Sequence, residues 1–108
     1  MAWIVEPPSE RVKAEIRGLS QDMQARYVRI ANLLKDFGPQ DVGMPYVRPL
    51  GNKLWEMRLS GKAGIGRIIY IALPGQRLML LHAFIKKTRQ TPRRAIEIAL
   101  ARLKEFAP

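Results

Sequence analysis

Apolar positions recur at helical spacing between Ser20 and Phe37. Met23, Tyr27, Ile30, Leu34 and Phe37 follow one another at steps of four and three, which gathers them on one helix face. Ser20 is a good N-cap, Asp22 puts a carboxylate in the first turn, and Gly38-Pro39 ends the pattern. Such a stripe forms core or, as a narrow seam, suits a partner helix. Ahead of it, the apolar run Ala2–Val5 reads as a first or edge strand, closed by Glu6-Pro7-Pro8. Ser9 then caps a short helix carrying Val12, Ile16 and Leu19.

The period changes in the second half. Residues 38–53 hold Gly38, Pro39, Gly43, Pro45, Pro49 and Gly51, a loop with a brief strand around Tyr46-Val47. From Leu54 to Leu59 the chain alternates, with Trp55, Met57 and Leu59 on one side and Glu56 and Arg58 on the other. The glycine-rich stretch Gly61–Gly66 is a turn; it lacks the spacing of a phosphate-binding P-loop. Gly66–Leu73 is a second strand, Pro74-Gly75 a hairpin turn, and Arg77–Ile85 a third strand. That third strand is apolar on both faces, so it is central or covered on both sides. A last helix opens at Thr91-Pro92, with Thr as N-cap and Pro at the first helical position, and runs to about Phe106 over Ile96, Ala99, Leu100 and Leu103. The order β-α-α-β-β-β-α predicts one small α+β domain over residues 1–108. Its antiparallel sheet has three to four strands, with two N-terminal helices and one C-terminal helix.

Charge sharpens this picture. The net charge is +10 with a pI near 10.7, a field that favours polyanionic partners. Residues 1–54 carry 8 Lys and Arg against 6 Asp and Glu, a net of +2, whereas residues 55–108 carry 11 against 3, a net of +8. The second half therefore holds the polyanion face. With no cysteine, one histidine and no HxxxH or DxDxDG spacing, neither disulfides nor the common metal sites are expected. No apolar run approaches the ~20 residues of a membrane span, and the start lacks a signal-peptide pattern, so the expected setting is the cytoplasm.

Candidate chemistry concentrates between Leu80 and Ile96. An apolar strand turns abruptly cationic at Lys86, Lys87, Arg89, Arg93 and Arg94, just where a helix starts. Backbone N–H groups at a helix start attract anions, and cations beside them make a phosphate site. The plainer alternative is a basic loop that is merely solvated.

These segments together resemble the RelE/HigB toxin superfamily, and within it the phage-derived HigB-like branch. The resemblance rests on LGNKLWEMRL, GRIIY, LLHAFIKKTRQTP and a helix ending ARLKEF, in that order, over roughly residues 20–106. Its most specific piece is FxKKTxxTP at Phe84–Pro92, supported by Glu56-Met57-Arg58 and by Arg67 to Tyr70. The resemblance implies a RelE-like fold and a toxin of a type II toxin–antitoxin module that needs no metal or other cofactor. It implies binding to the ribosome, cleavage of mRNA there, and neutralisation by an antitoxin, commonly a helix-turn-helix HigA-like protein. Operator DNA is met only through the antitoxin complex.

The implied reaction is attack of an RNA 2′-hydroxyl on the adjacent phosphate, with a base, an acid and cations around the phosphorane. Arg58, Arg67, Lys86 and Lys87 are the candidate catalytic residues. Arginine forks suit two phosphate oxygens, and a lysine among other cations has a lowered pKa. Arg89, Lys53, Lys62, Tyr70 and His82 are candidates for holding RNA. Plainer readings stand beside these. Arg58 and Arg67 can pair with Glu56, Tyr70 can pack in the sheet, and His82 can be a satisfied, partly buried histidine sharing a face with Leu80 and Phe84. Glu56 departs from the wholly basic strand of some superfamily members, either as a base or as a holder of Arg58. The alternative functions are gyrase inhibition of the ParE kind, a basic binding module without catalysis, and a decayed relative that binds only its antitoxin.

Overall fold

The computed structural model describes residues 2–6, 8–62, 64–86 and 91–106. Its elements run β1 (Ile4–Val5), α1 (Glu10–Arg17), α2 (Gln21–Val42), β2 (Val47–Gly51), β3 (Leu54–Gly61), β4 (Gly64–Leu73), β5 (Arg77–Lys86) and α3 (Arg93–Phe106). The sheet has five strands in the order β1-β5-β4-β3-β2, and only the β1–β5 pair is parallel. The expected meander of three long strands is β3-β4-β5. Two short strands, β1 and β2, add an edge on each side, so the count exceeds the three to four expected. The central strand is β4, not β5.

The sheet is covered on both faces. Val12, Ile16, Leu19, Met23, Ile30 and Leu34 of α1, α2 and their junction pack on Met57, Leu59, Ile68, Tyr70, Leu78 and Leu80. On the other face, Ala95 and Ala99 of α3 pack on Leu54, Ile69, Ile71 and Leu81. Both helix starts in the first half are capped as the sequence implies, with Ser9 accepting from the Val12 N–H and Ser20 from the Met23 N–H.

α2 departs from expectation at its end. Gly38 breaks it with a φ of +81°, and the chain then re-enters helix through Val42. Trp3 lies so close that a Cβ at position 38 would sit 2.4 Å from its indole nitrogen, so only glycine fits. Beyond the core stripe, Phe37 is 57% exposed.

A register shift in β4–β5 decides which β5 side chains face α3. Tyr70 pairs with Leu80 and Ile69 with His82, leaving Leu81 as an extra residue. A bulge turns two consecutive side chains to the same side. Leu81 and His82 therefore both face α3, and His82 does not share a face with Leu80 as expected.

The two sheet edges are closed differently. On β2, the Val47 N–H donates to the Gly43 carbonyl (3.0 Å). Pro49 brings no N–H to that edge. Beyond the short β1, two side chains close β5. Glu15 of α1 accepts from the Ala83 N–H (3.0 Å), and Arg102 of α3 donates to the Leu81 carbonyl (3.0 Å).

Candidate active site

Cross-strand pairing builds a cationic cluster on the α3 face. Arg48 lies opposite Glu56, Glu56 opposite Ile69, and Ile69 opposite His82. In the next row of that face Arg58 lies opposite Arg67, and Arg67 opposite Phe84. One row further, Lys86 pairs with Ile65. Two arginines directly across a strand pair repel each other, so this arrangement needs a counter-charge.

Glu56 supplies it. Its carboxylate is fully buried. Oε2 accepts from Arg67 Nη1 at 2.8 Å and from Arg48 Nε at 2.9 Å. Oε1 accepts from the Thr91 hydroxyl, which in turn accepts from Arg48 Nη2 at 3.2 Å. Removing one partner from a buried ion network of this kind costs about 3–5 kcal/mol. Glu56 thus holds Arg48 and Arg67 rather than Arg58. Thr91 serves Glu56 instead of capping α3. The first helical bonds go to the carbonyl of Pro92, which places Pro92 at the cap and starts the helix one residue later than expected.

Lys86 closes the cluster. It is 5% exposed, and its ammonium nitrogen has no hydrogen-bond partner among the described residues. Burial pulls its pKa below the usual lysine value; Arg67, Arg48 and Arg58 pull the same way, and Glu56 opposes them. Four cations, from β2, β3, β4 and β5, therefore act on one another around a single carboxylate.

The other expected site residues separate into three groups. Lys87 and Arg89 lie outside the described residues. Lys53, in the β2–β3 turn with a φ of +68°, and Lys62, in the β3–β4 turn, are exposed. The Lys62 N–H instead donates to Asp22 at 2.7 Å, and the two residues line an open cleft with Arg26. Asp22 is held below the usual aspartate pKa by the Ser20 hydroxyl and then by this N–H.

Two expected RNA contacts, Tyr70 and His82, are buried. Tyr70 faces α2, fully buried, 6.5 Å from the stacked ring of Trp55, and burial pushes its pKa far up. It cannot stack a base from that position. His82 lies 3.1 Å from Glu15 Oε1 and stacks on Phe84 at 5.0 Å between ring centroids. Arg102 completes this second network with a fork on Glu15, both bonds at 2.8 Å. Burial raises the Glu15 pKa. The Arg102 fork, the Ala83 N–H and His82 together outweigh burial and hold it below its usual value.

Arg48 is the site residue that sequence reasoning misses. A plain hairpin turning at Asn52-Lys53 pairs residue 48 with Met57, on the wrong face. The irregularity between Pro49 and Gly51 shifts the register by one and sets Arg48 against Glu56. No spacing in the sequence signals that shift.

A five-stranded sheet between an N-terminal helix pair and a C-terminal helix, with this basic face, defines a RelE-like α+β domain. An arginine-to-alanine double mutant of the Escherichia coli toxin RelE in its free state superposes with a TM-score of 0.64. The match covers 99% of this chain and 100% of that one at 13% identity, a likeness of fold. The chain belongs to the phage-derived protein Gp49-like family, whose model matches residues 14–104 and which is a RelE/HigB-type toxin family. No curated protein sequence matches it. No described helix is long and apolar enough to cross a membrane.

Proposed function

We propose that this toxin-family protein is a ribosome-dependent mRNA endonuclease that acts in the cytoplasm and arrests translation. The observation that carries this reading is the convergence of Arg48, Arg58, Arg67 and Lys86 around the buried Glu56. An excess of cations, one of them a buried lysine that bonds to no described residue, suits a phosphate that gains charge in the transition state.

In the proposed reaction the 2′-oxygen loses its proton to a base and bonds to phosphorus. The P–O5′ bond breaks and the leaving oxygen takes a proton, giving a 2′,3′-cyclic phosphate and a 5′-hydroxyl. Arg58, half-buried and not engaged by Glu56, meets the non-bridging oxygens. Lys86, its proton loosened by burial and by its arginine neighbours, exchanges protons with the reacting oxygens. Arg67 is fully buried and acts from behind them. Membership of this toxin family implies an antitoxin, here a helix-turn-helix HigA-like protein that carries the complex to operator DNA.

The test is tightly controlled expression with mapping of mRNA 5′ ends over the first minutes. New ends inside translated codons, absent with Arg58→Ala, are expected. Growth arrest without new ends, accompanied by DNA damage, would replace this reading with gyrase inhibition. Arg58→Ala is the cleaner probe, because Arg67→Ala also strips a partner from the buried Glu56.

A further inference from the structure

Glu56 is placed to do more than neutralise charge. Its partners come from three elements besides its own strand: Arg48 from β2, Arg67 from β4, and Thr91 from the start of α3. β2 is a short edge strand whose pairing with β3 is irregular. α3 follows β5 only after a connection that includes Thr91 and Pro92. Main-chain pairing sets Arg48 opposite Glu56, but sheet hydrogen bonds do not fix its guanidinium or the helix start relative to the middle of β3. Two charge-assisted bonds and a hydroxyl bond to one buried carboxylate do.

We infer that Glu56 is the positioning residue of this site. Its carboxylate ties β2, β4 and the start of α3 to β3, and it leaves Arg58 and Lys86 as the two cations that meet a phosphate. The assignment of Arg58 and Lys86 to a phosphate rests on the nuclease reading; the tie itself does not.

The division of labour follows from what each cation reaches. Arg48 and Arg67 spend N–H groups on Glu56. Arg58 is two residues along the same strand on the same face, opposite Arg67. Lys86 Nζ bonds to no described residue, and the charged groups acting on it are Arg67 of β4, Glu56 and Arg58 of β3, and Arg48 of β2. Glu56 is the one member of that set that favours the charged lysine. It therefore sets both where the cations stand and how readily Lys86 holds its proton.

Glu56→Gln in the full chain keeps the side-chain shape and one acceptor oxygen while removing the charge. Lysine side-chain NMR titration, with Lys86 assigned through Lys86→Arg, reads the charge state directly. Cleavage of mRNA on programmed ribosomes across pH reads the chemistry. In Glu56→Gln the Lys86 midpoint is expected at lower pH, and cleavage falls about 100-fold, with a pH profile that moves alongside the midpoint. Glu56→Asp, which keeps the charge at shorter reach, leaves the midpoint near its wild-type position and lowers cleavage about tenfold. An unmoved Lys86 midpoint in folded Glu56→Gln overturns the proposal, and so does an unchanged cleavage rate. If Glu56→Gln does not fold, Thr91→Val removes one tie and no charge. A loss of about tenfold in cleavage with an unmoved Lys86 midpoint is then expected, and a wild-type rate overturns the tie. A wild-type chain that cuts no mRNA removes the nuclease reading, while the Lys86 titration still decides whether Glu56 governs this cluster.

Discussion

A half-buried glutamate, Glu15, and a fully buried one, Glu56, each bind arginine in this protein, and they serve opposite ends. Glu15 sits at the β5 edge and Glu56 on the α3 face of the sheet. Around Glu15 the demands are met: Arg102 forks onto it, the Ala83 N–H reaches it, and His82 completes the set. That cluster closes a strand edge and pins α1 to α3. Around Glu56 the cations outnumber the acid, and Lys86 is buried without a hydrogen bond from any described residue. A balanced network is structure. An unbalanced one keeps a cost in the free protein, which on the proposed nuclease reading a bound phosphate would relieve.

Removing a cation that meets the phosphate should have the largest effect. Arg58→Ala is expected to lower ribosome-dependent cleavage by about 10²–10³-fold while the thermal midpoint stays near wild type. A folded Arg58→Ala protein that still arrests growth would break the division between the two networks at its root.

Glu15→Ala is the matching test of the other network. It leaves Arg102 without its counter-charge and the Ala83 N–H without an acceptor. The side chain is 22% exposed, so the cost is taken below that of a fully buried pair, at about 2–3 kcal/mol in urea unfolding. Cleavage per folded molecule should not change.

Lys86→Met sharpens the contrast because stability and activity should move apart. The chain gains about 1–2 kcal/mol by losing a buried charge that bonds to no described residue, and cleavage collapses. A destabilised Lys86→Met protein would mean that the ammonium is held after all.

Stability rises with pH at both sites, in different windows and for opposite reasons: Glu15 is favoured charged in the fold, Lys86 disfavoured. Glu15 has a folded pKa below its ordinary value of 4.5. Its contribution is complete above that value and is lost as pH falls through the folded pKa, so Glu15→Gln should flatten the acid side of the stability curve. Lys86 has a folded pKa below 10.5. The unfolded chain binds the extra proton between the two values, so stability should rise with pH across that window and Lys86→Met should remove the rise. Denaturant midpoints across pH measure both. The smallest effect is expected from Tyr70→Phe. The hydroxyl is buried without a hydrogen-bond partner among the described residues, so its loss changes stability by less than about 1 kcal/mol, and cleavage should be untouched.

Much of the architecture was legible along the chain because it is written in short-range periodicity. The α2 stripe, the alternation of β3, the hairpin at Pro74-Gly75 and the cationic turn after β5 each depend on neighbours within a few residues. The family motifs likewise pointed to Arg58, Arg67 and Lys86. What escaped depends on register. The β2 irregularity brings Arg48 to Glu56, and the β5 bulge sends His82 toward Glu15 rather than beside Leu80. For Tyr70 the sequence leaves RNA contact and sheet packing equally open, and only the fold fixes the side it takes.

The sequence by itself determined the α+β class, the order of elements from the first strand to the last helix, and the basic character of the second half. Those follow from local patterning and from charge, which need no partner in space. Only the tertiary structure decided which cations are spent on Glu56 and which stand free of it. A single-residue shift between strands reverses every side chain, and two such shifts separate the balanced network at the β5 edge from the unbalanced one beside α3.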